Sequence, residues 1–383
     1  MNKNSRILIH GAGIAGLTCA IWLGRNGFRP VIVEKSPEIR AAGGFIICLA
    51  GASYRFAEEL GILPDLQARN SDIYSSTYHD GKGNKLLDLD YKYLFKGVDF
   101  IQITRDEIEN VLYEHAKDKA EYRFSVSAEK INQDEPGVVQ VEFTDGKQEE
   151  FDLVIGTDGL HSAIRELTFD QSDVTKHYFG LQLAAYKLEN FVGLKNKFEY
   201  HMEKNRFMVL YSCRDGKLGC VFVWQSDDKQ APPVEQRWDF LKEQYRDAGP
   251  LAKKVIELFP DTSPMLMDSF LQIEMKQWHK GRVVLIGDAA HSLTVLSGQG
   301  ASSAFADACY LSRALVQGEP EEAFKTLEES MYTAVSEMQS SSRKAAYWYV
   351  PRNRARQIIR DNGMRLMPIN YFKSYFKDKY MKI

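Results

Sequence analysis

The residues best placed to do chemistry open the chain, where His10-Gly11-Ala12-Gly13-Ile14-Ala15-Gly16 sets three glycines in a G-x-G-x-x-G spacing. Gly11 suits a tight turn, Gly13 lets a pyrophosphate reach the backbone, and Gly16 lets a helix lie close to a strand. The free N–H groups and positive dipole end of the helix that follows would meet the phosphates. Glu34 stands eighteen residues beyond Gly16 at the end of a second apolar run, where a carboxylate accepts hydrogen bonds from a ribose. NAD and FAD present the same pyrophosphate and ribose, so these residues leave the dinucleotide open. Metal and nucleophile chemistry find no support: the eight histidines are scattered without an H-E-x-x-H pair, and no catalytic triad is visible. His291, after Ala290, reads as a packing and backbone-supporting residue rather than a base.

The elements that must position these residues are partly legible. Ile7 to Ile9 form a short strand, and Ile14, Leu17, Ile21 and Trp22 recur at helical spacing. Gly27 ends that helix and Val31 to Val33 begin the next strand, a βαβ opening that implies a parallel sheet. A helix is predicted over 51–60 and another over 104–117, the latter with Thr104 as N-cap and Glu107 completing a capping box. Asp145-Gly146 and Asp215-Gly216 are hairpin signals, the second joining Met208 to Cys213 with Leu218 to Trp224. An antiparallel sheet over about 172–262 therefore interrupts the α/β part, which returns with a strand at 282–286 and a helix at 302–315.

Two further stretches narrow the reading: LVIGTDGLHSAIR over 153–165, and GRVVLIGDAAHSLTVLSGQG over 281–300. In this order and spacing the chain resembles the group A flavoprotein monooxygenases, the family of para-hydroxybenzoate hydroxylase, over nearly its whole length. Its length, the glycines at Gly43 and Gly44 and the C-terminal helix look closest to the tetracycline-inactivating monooxygenases and the polyketide hydroxylases. The resemblance implies FAD, with NAD(P)H, NADPH favoured, as co-substrate. NAD(P)H would reduce the flavin, O2 would add to give a C4a-hydroperoxide, and one oxygen would pass to an aromatic or polyketide-like small molecule. A flavin-dependent reductase or dehydrogenase on the same scaffold, or a flavin-binding protein without turnover, are the alternatives.

Carried over residue by residue, the resemblance gives Asp288 to the flavin ribityl chain and the backbone of Gly298, Gly300, Ala301 and Ser302 to the pyrimidine end of the flavin. A carboxylate at a strand end matches polyol hydroxyls, and helix-start N–H groups stabilise charge near flavin N1. Asp158 and Gly159 would serve FAD and NAD(P)H, and Arg40 and Arg105 match arginines near the FAD. Ala12, Ile14, Ala15, Lys35 and Val126 complete the expected cofactor set. Two departures stand out: Val295 replaces a proline, which should loosen its turn, and Ser302 replaces an asparagine. The substrate would lie against the antiparallel sheet, where Gln182, Arg206, Tyr211 and Trp224 are candidate contacts, but strand parity is not fixed by the sequence. Aromatic residues such as Tyr186, Phe198, Tyr200, Phe207 and Phe222 suit a ring-containing ligand.

The fold class that follows is α/β: a discontinuous Rossmann-like FAD-binding domain (1–73, 97–171 and 263–320), an inserted antiparallel-sheet substrate domain (74–96 and 172–262) and C-terminal bridging helices (321–383). The chain has 383 residues, 44% of them hydrophobic, enough for well-buried cores. Its five cysteines are odd in number and lack C-x-x-C spacing, which excludes a disulfide framework or zinc site. Neither a signal peptide nor an apolar run of membrane-spanning length is present, so a cytoplasmic location is expected.

The net charge of −3 hides an asymmetry, since residues 343–383 carry eleven basic and two acidic side chains. Trp348, Tyr349, Ile358, Ile359 and Leu366 should give that tail apolar contact, and Arg352, Arg354, Arg356, Arg360 and Arg365 a solvated basic face. A brace between the domains is the expected role. Docking to an anionic membrane or to NADPH is the second reading, and no nucleic-acid partner is expected. Nothing in the sequence demands an oligomer.

Overall fold

The computed structural model describes residues 1–39, 45–259 and 265–380. A six-stranded sheet runs β17 (His279–Lys280), β18 (Val283–Leu285), β11 (Leu153–Gly156), β1 (Ile7–His10), β2 (Val31–Glu34) and β7 (Glu121–Phe124). All its pairings are parallel except β17 with β18. The four inner strands, β18, β11, β1 and β2, are almost wholly apolar because helices bury the sheet, as a parallel sheet requires, while the edge strands β7 and β17 are polar and part-exposed. Helix α1 (Ile14–Arg25) links β1 to β2 and ends where Gly27 turns with φ +87°. It packs with α5 (Arg105–Ala116) and α10 (Gly300–Gln317). A three-stranded antiparallel sheet, β8 (Ala128–Asn132), β9 (Val139–Phe143) and β10 (Gln148–Phe151), contains the hairpin at Asp145-Gly146. Thr104 does stand at the N-cap of α5, yet its side chain makes no capping bond. Glu107 instead pairs with Arg69, 2.9 Å away past the end of α3 (Leu63–Ala68), a charge-assisted bond stronger than a neutral cap.

The second sheet has seven strands in the order β16 (Leu266–Met275), β12 (Val174–Glu189), β15 (Lys217–Gln225), β14 (Arg206–Ser212), β13 (Lys197–Met202), β4 (Ser75–Asp80) and β5 (Lys85–Asp90). Two findings depart from the sequence reading. The sheet runs past residue 262 to take in β16, which pairs with β12, and β13 meets β4 in parallel, so the sheet is mixed. No hairpin joins β4 to β13: the chain between them runs through β5 to β12, which include strands of the first sheet. One face is covered by α7 (Arg237–Gln244) and α8 (Pro250–Glu257), against which Tyr186, Met208, Leu210, Phe222 and Trp224 pack. The opposite face holds Leu181, Leu183, Phe207, Val209 and Tyr211. It packs toward α4 (Tyr91–Leu94) and the two-stranded pair β3 (Ile46–Ala50) and β6 (Phe100–Thr104).

Helix α2 (Ala52–Glu59) follows β3, α6 (Ala163–Thr168) follows β11, and the one-turn α9 (Asp288–His291) follows β18. The chain ends in α11 (Pro320–Tyr349), α12 (Arg354–Leu366) and α13 (Ile369–Tyr380), with the break between the first two at Pro351, which cannot continue a helix. The tail corrects the sequence reading in detail. Arg360 is buried, not solvated, because the Glu203 and Tyr349 carbonyls and the Asp361 carboxylate accept its guanidinium. Ile358, Ile359 and Leu366, expected to be buried, are exposed.

Candidate functional site

Strands β1, β2, β11 and β18 end level on one edge of their sheet, His10 beside Val33 and Gly156, and Gly156 beside Leu285. The glycine turn, Glu34, Asp158 and Asp288 all follow directly from those ends, where open α/β sheets bind their ligands. Gly11 adopts φ +114°, and a Cβ there would lie 2.7 Å from the Thr157 carbonyl oxygen and 2.9 Å from Asp158 Cα. A Cβ on Gly16 would overlap the Gly11 carbonyl oxygen. A Cβ on Gly13 would meet nothing within 4 Å. The first and third glycines are thus demanded by packing and the second is left open toward the helix N-terminus, the cradle a pyrophosphate needs. Ala12, Ile14 and Ala15 are buried around it.

The Glu34 carboxylate accepts the Ala12 and Ser36 N–H groups, each at 2.9 Å, which ties it to the glycine turn. Val126 lies beside it, donating its N–H to the Glu34 carbonyl at 3.1 Å, while Lys35 is exposed. Arg40 lies outside the described residues. Two residues that sequence reasoning missed lock the turn to its neighbours. The Thr157 hydroxyl donates to the Gly11 and His10 carbonyls at 2.7 and 3.0 Å. His10 Nε2 accepts the Ala128 N–H at 2.9 Å, leaving Nδ1 to carry the proton 3.1 Å from Asp158 Oδ2. Burial pushes the Asp158 carboxyl up, but the bonds from His10, Ser162 and the Ile164 N–H outweigh it and hold it below the usual range. Its other oxygen, Oδ1, is buried with no protein partner. Gly159 follows with φ +77°.

The opposite end of the site is built by Arg105, Asp288 and the glycine-rich loop. Arg105 opens α5 and donates from Nε to buried Glu109 at 2.8 Å. Burial pushes the Asp288 carboxyl above the usual carboxylate range, with the charges of Arg105 and His291 opposing it. The loop from Ser292 to Gln299 is closed by the Ser297 and Gly298 N–H groups donating to the Thr294 and Val295 carbonyls. Those two bonds close the turn at Val295, whose side chain is exposed. Gly300 and Ala301 begin α10, and Ser302 donates to the Cys48 carbonyl at 3.2 Å, tying the helix to β3. His291, a packing residue by expectation, lies 2.8 Å from Asp307, with both side chains buried. Asp307 is a further residue that sequence reasoning missed.

Of the four candidate substrate contacts, three face away from this loop. Gln182 donates to the Asp228 and Gln230 carbonyls, Arg206 is engaged by Glu203 and Asp247, and Trp224 packs against Tyr245 and Phe240 near α7. Tyr186 and Phe222 share that covered face. Tyr211 alone points to the inner face, its ring lying across Gly219. That face, which also carries Phe198, Tyr200 and Phe207, packs with Leu296 of the glycine-rich loop.

Residues 4–339 match the FAD binding domain family. The chain belongs to that family. It is 31% identical over 317 residues to a flavin-dependent monooxygenase of Legionella longbeachae, covering 82% of this chain and 80% of the relative. A second flavin-dependent monooxygenase, from an unknown prokaryotic organism, is 32% identical over 342 residues, covering 88% and 87%. Among solved structures, the tetracycline destructase Tet(51) superposes with a TM-score of 0.82 at 28% identity, covering 97% of each chain. HpxO of Klebsiella pneumoniae complexed with FAD and uric acid shares the fold, with a TM-score of 0.85 at 21% identity over 99% and 97%. This monooxygenase is an oxidoreductase that uses FAD, and the open cradle at Gly13 with carboxylates at both ends of the site suits that cofactor. Among the described residues, no helix of the monooxygenase is long and apolar enough to cross a membrane.

Proposed function

We propose that this monooxygenase takes its electrons from NADPH in preference to NADH and hydroxylates a ring-bearing, largely apolar small molecule, with a tetracycline-type polyketide the first candidate. The observation that carries the reading is the aromatic inner face opposite the glycine-rich loop. On it Tyr78 stacks on Tyr200 at 4.3 Å and Phe198 tilts against Tyr211 at 5.6 Å, and in the layer packed against it Phe95 stacks on Phe100 at 4.4 Å. Rings so arranged favour a flat, ring-containing ligand. The likeness to Tet(51) supports the same substrate class. The division into an FAD-binding part and a sheet-built substrate part, with β16 added to the latter, and a cytoplasmic location belong to this reading.

Bound FAD supplies the ring that accepts hydride and activates O2; the protein's task is to hold, orient and shield. Gly11, Gly13 and the α1 N-terminus would seat the pyrophosphate and Glu34 the ribose. Asp288 would accept from the ribityl hydroxyls, and the backbone from Gly298 to Ser302 would lie against the pyrimidine edge. Arg105 and Asp158-Gly159 would line the space between. No protein nucleophile is needed.

Asp288→Ala should therefore purify with less FAD per chain than the natural protein, each lost bond to a charged acceptor costing about 1.5–3 kcal/mol. Flavin absorbance relative to protein measures this, and equal occupancy would remove Asp288 from its role. The substrate class is tested by NADPH oxidation and O2 uptake in the presence of phenols, linear polyketides and tetracyclines, with mass spectrometry of the products. The expected product carries one added oxygen on a ring-bearing compound. NADPH consumption that no such compound stimulates would overturn the substrate assignment.

A further inference from the structure

The C-terminal helices present a face that the flavin chemistry leaves unused. Helix α12 is clamped in one rotational setting. Its buried side carries Arg360, which the Glu203 and Tyr349 carbonyls accept, and Met364. A Cβ on Gly363 would come within 2.7 Å of the Trp348 ring, so α11 and α12 touch there without space between them. With that side fixed, the rest of the helix surface is set to face outward. It carries Ile358, Ile359 and Leu366, which are 51%, 63% and 81% exposed. At 100° per residue, Ile359, Leu366 and Ala355 fall within one narrow stripe, with Ile358 at its edge. Arg356 borders one side of the stripe, and Arg354 and Arg365 border the other. Arg365 pairs with Asp80, but Arg354 and Arg356 have no carboxylate partner among the described residues. The next helix, α13, packs the half-buried Phe372 and Phe376 against the core cluster while leaving Tyr371 58% exposed.

We propose that this face docks the enzyme on an anionic lipid surface. An exposed apolar stripe flanked by arginines is the pattern of a helix lying in a membrane interface, where apolar side chains enter the acyl boundary and cations stay with the headgroups. Charge decides the occupant. The face carries the exposed Arg354, Arg356 and Arg365, within a segment, residues 343–383, of net charge +9, so a second copy of the chain seated on the same face would bring like charges together, whereas acidic headgroups would neutralise them. Asp361, an acidic side chain of α12, is already engaged by Arg360 and does not offset the flanking arginines. The brace and the dock coexist on different sides of one helix, and this inference goes beyond the oxygenase reading.

The test is flotation of the full-length holoenzyme with vesicles of phosphatidylglycerol and phosphatidylcholine, compared with phosphatidylcholine alone. Binding is expected only to the anionic vesicles, and release as salt rises, since exposed charges are screened within about 8–10 Å at physiological ionic strength. Ile359→Glu/Leu366→Glu should abolish flotation with unchanged FAD content and melting temperature, because both side chains are exposed. Arg354→Gln/Arg356→Gln, which leaves the apolar stripe intact, should weaken binding on the order of 30-fold. Failure to float with anionic vesicles, or equal binding to both compositions, would overturn the proposal. So would a concentration-dependent dimer that the double glutamate variant dissolves, which would make the face a contact between copies.

Discussion

Gly16→Ala is expected to cost the monooxygenase its fold and its flavin together, whereas Gly13→Ala should cost the flavin alone. The added methyl on Gly16 would overlap the Gly11 carbonyl oxygen and press within 2.8 Å of Thr157 Oγ1. Backbone cannot swing aside as a flexible side chain can, so α1 would have to lift from β1. Overpacking a core ordinarily costs about 1–3 kcal/mol, and a clash against main chain lies at or above the top of that range. At Gly13 the backbone is in an ordinary extended conformation, φ −81° and ψ −170°, and the space beyond is open, so alanine fits without strain. The methyl would instead occupy the cradle left for the pyrophosphate, weakening FAD by about tenfold or more, or at least 1.4 kcal/mol. Urea unfolding of the two apoproteins, alongside FAD titration, separates these effects. Equal destabilisation by both substitutions would sink the division of labour among the three glycines.

That division was readable in the sequence because most of it is local: turn, strand end and helix start lie within ten residues, and only the Thr157 and Asp158 atoms that crowd Gly11 and Gly16 come from distant chain. The same holds for the hairpins at Asp145-Gly146 and Asp215-Gly216, where the turn residues dictate the pairing. The substrate face was not readable, for a physical reason. Alternation identifies the inner side of a strand only when the other side meets water. Here α7 and α8 bury the outer face as thoroughly as β3 and the glycine-rich loop bury the inner one. Gln182, Arg206 and Trp224 therefore carried no signal of which way they point. Arg360 misled for a related reason, since its acceptors, the Glu203 and Tyr349 carbonyls, come from distant chain. His10, Thr157 and Asp307 were silent because each acts across strands or helices rather than within a motif.

Asp307→Asn carries the second large effect and reaches the proposed flavin site through the turn that bears Asp288. Asp307 Oδ2 accepts the Gly287 N–H at 2.8 Å and lies 2.8 Å from His291 Nε2, so one carboxylate grips both ends of the single turn that starts at Asp288. Gly287 holds φ +60°, which glycine adopts freely, so the grip of Asp307 rather than local strain fixes the turn. Removing one member of a buried ion pair typically costs about 3–5 kcal/mol, because the partner charge is left uncompensated. Stability should fall by that order, and FAD occupancy with it, since Asp288 loses its fixed position. The pH dependence follows from His291. Burial pushes the imidazole down, but the Asp307 carboxylate outweighs this and holds it above its usual value of 6.5. A raised folded-state value means that the stabilisation is fully present below about 6.5 and is lost as pH rises through the folded value. The gap in melting temperature between the natural protein and Asp307→Asn should therefore be widest in mild acid and narrow at alkaline pH. The double variant His291→Leu/Asp307→Leu should recover part of the loss, because no lone charge remains buried. A gap that is flat between mild acid and alkaline pH would show that the charge on His291 contributes nothing, leaving Asp307 only its bond to Gly287.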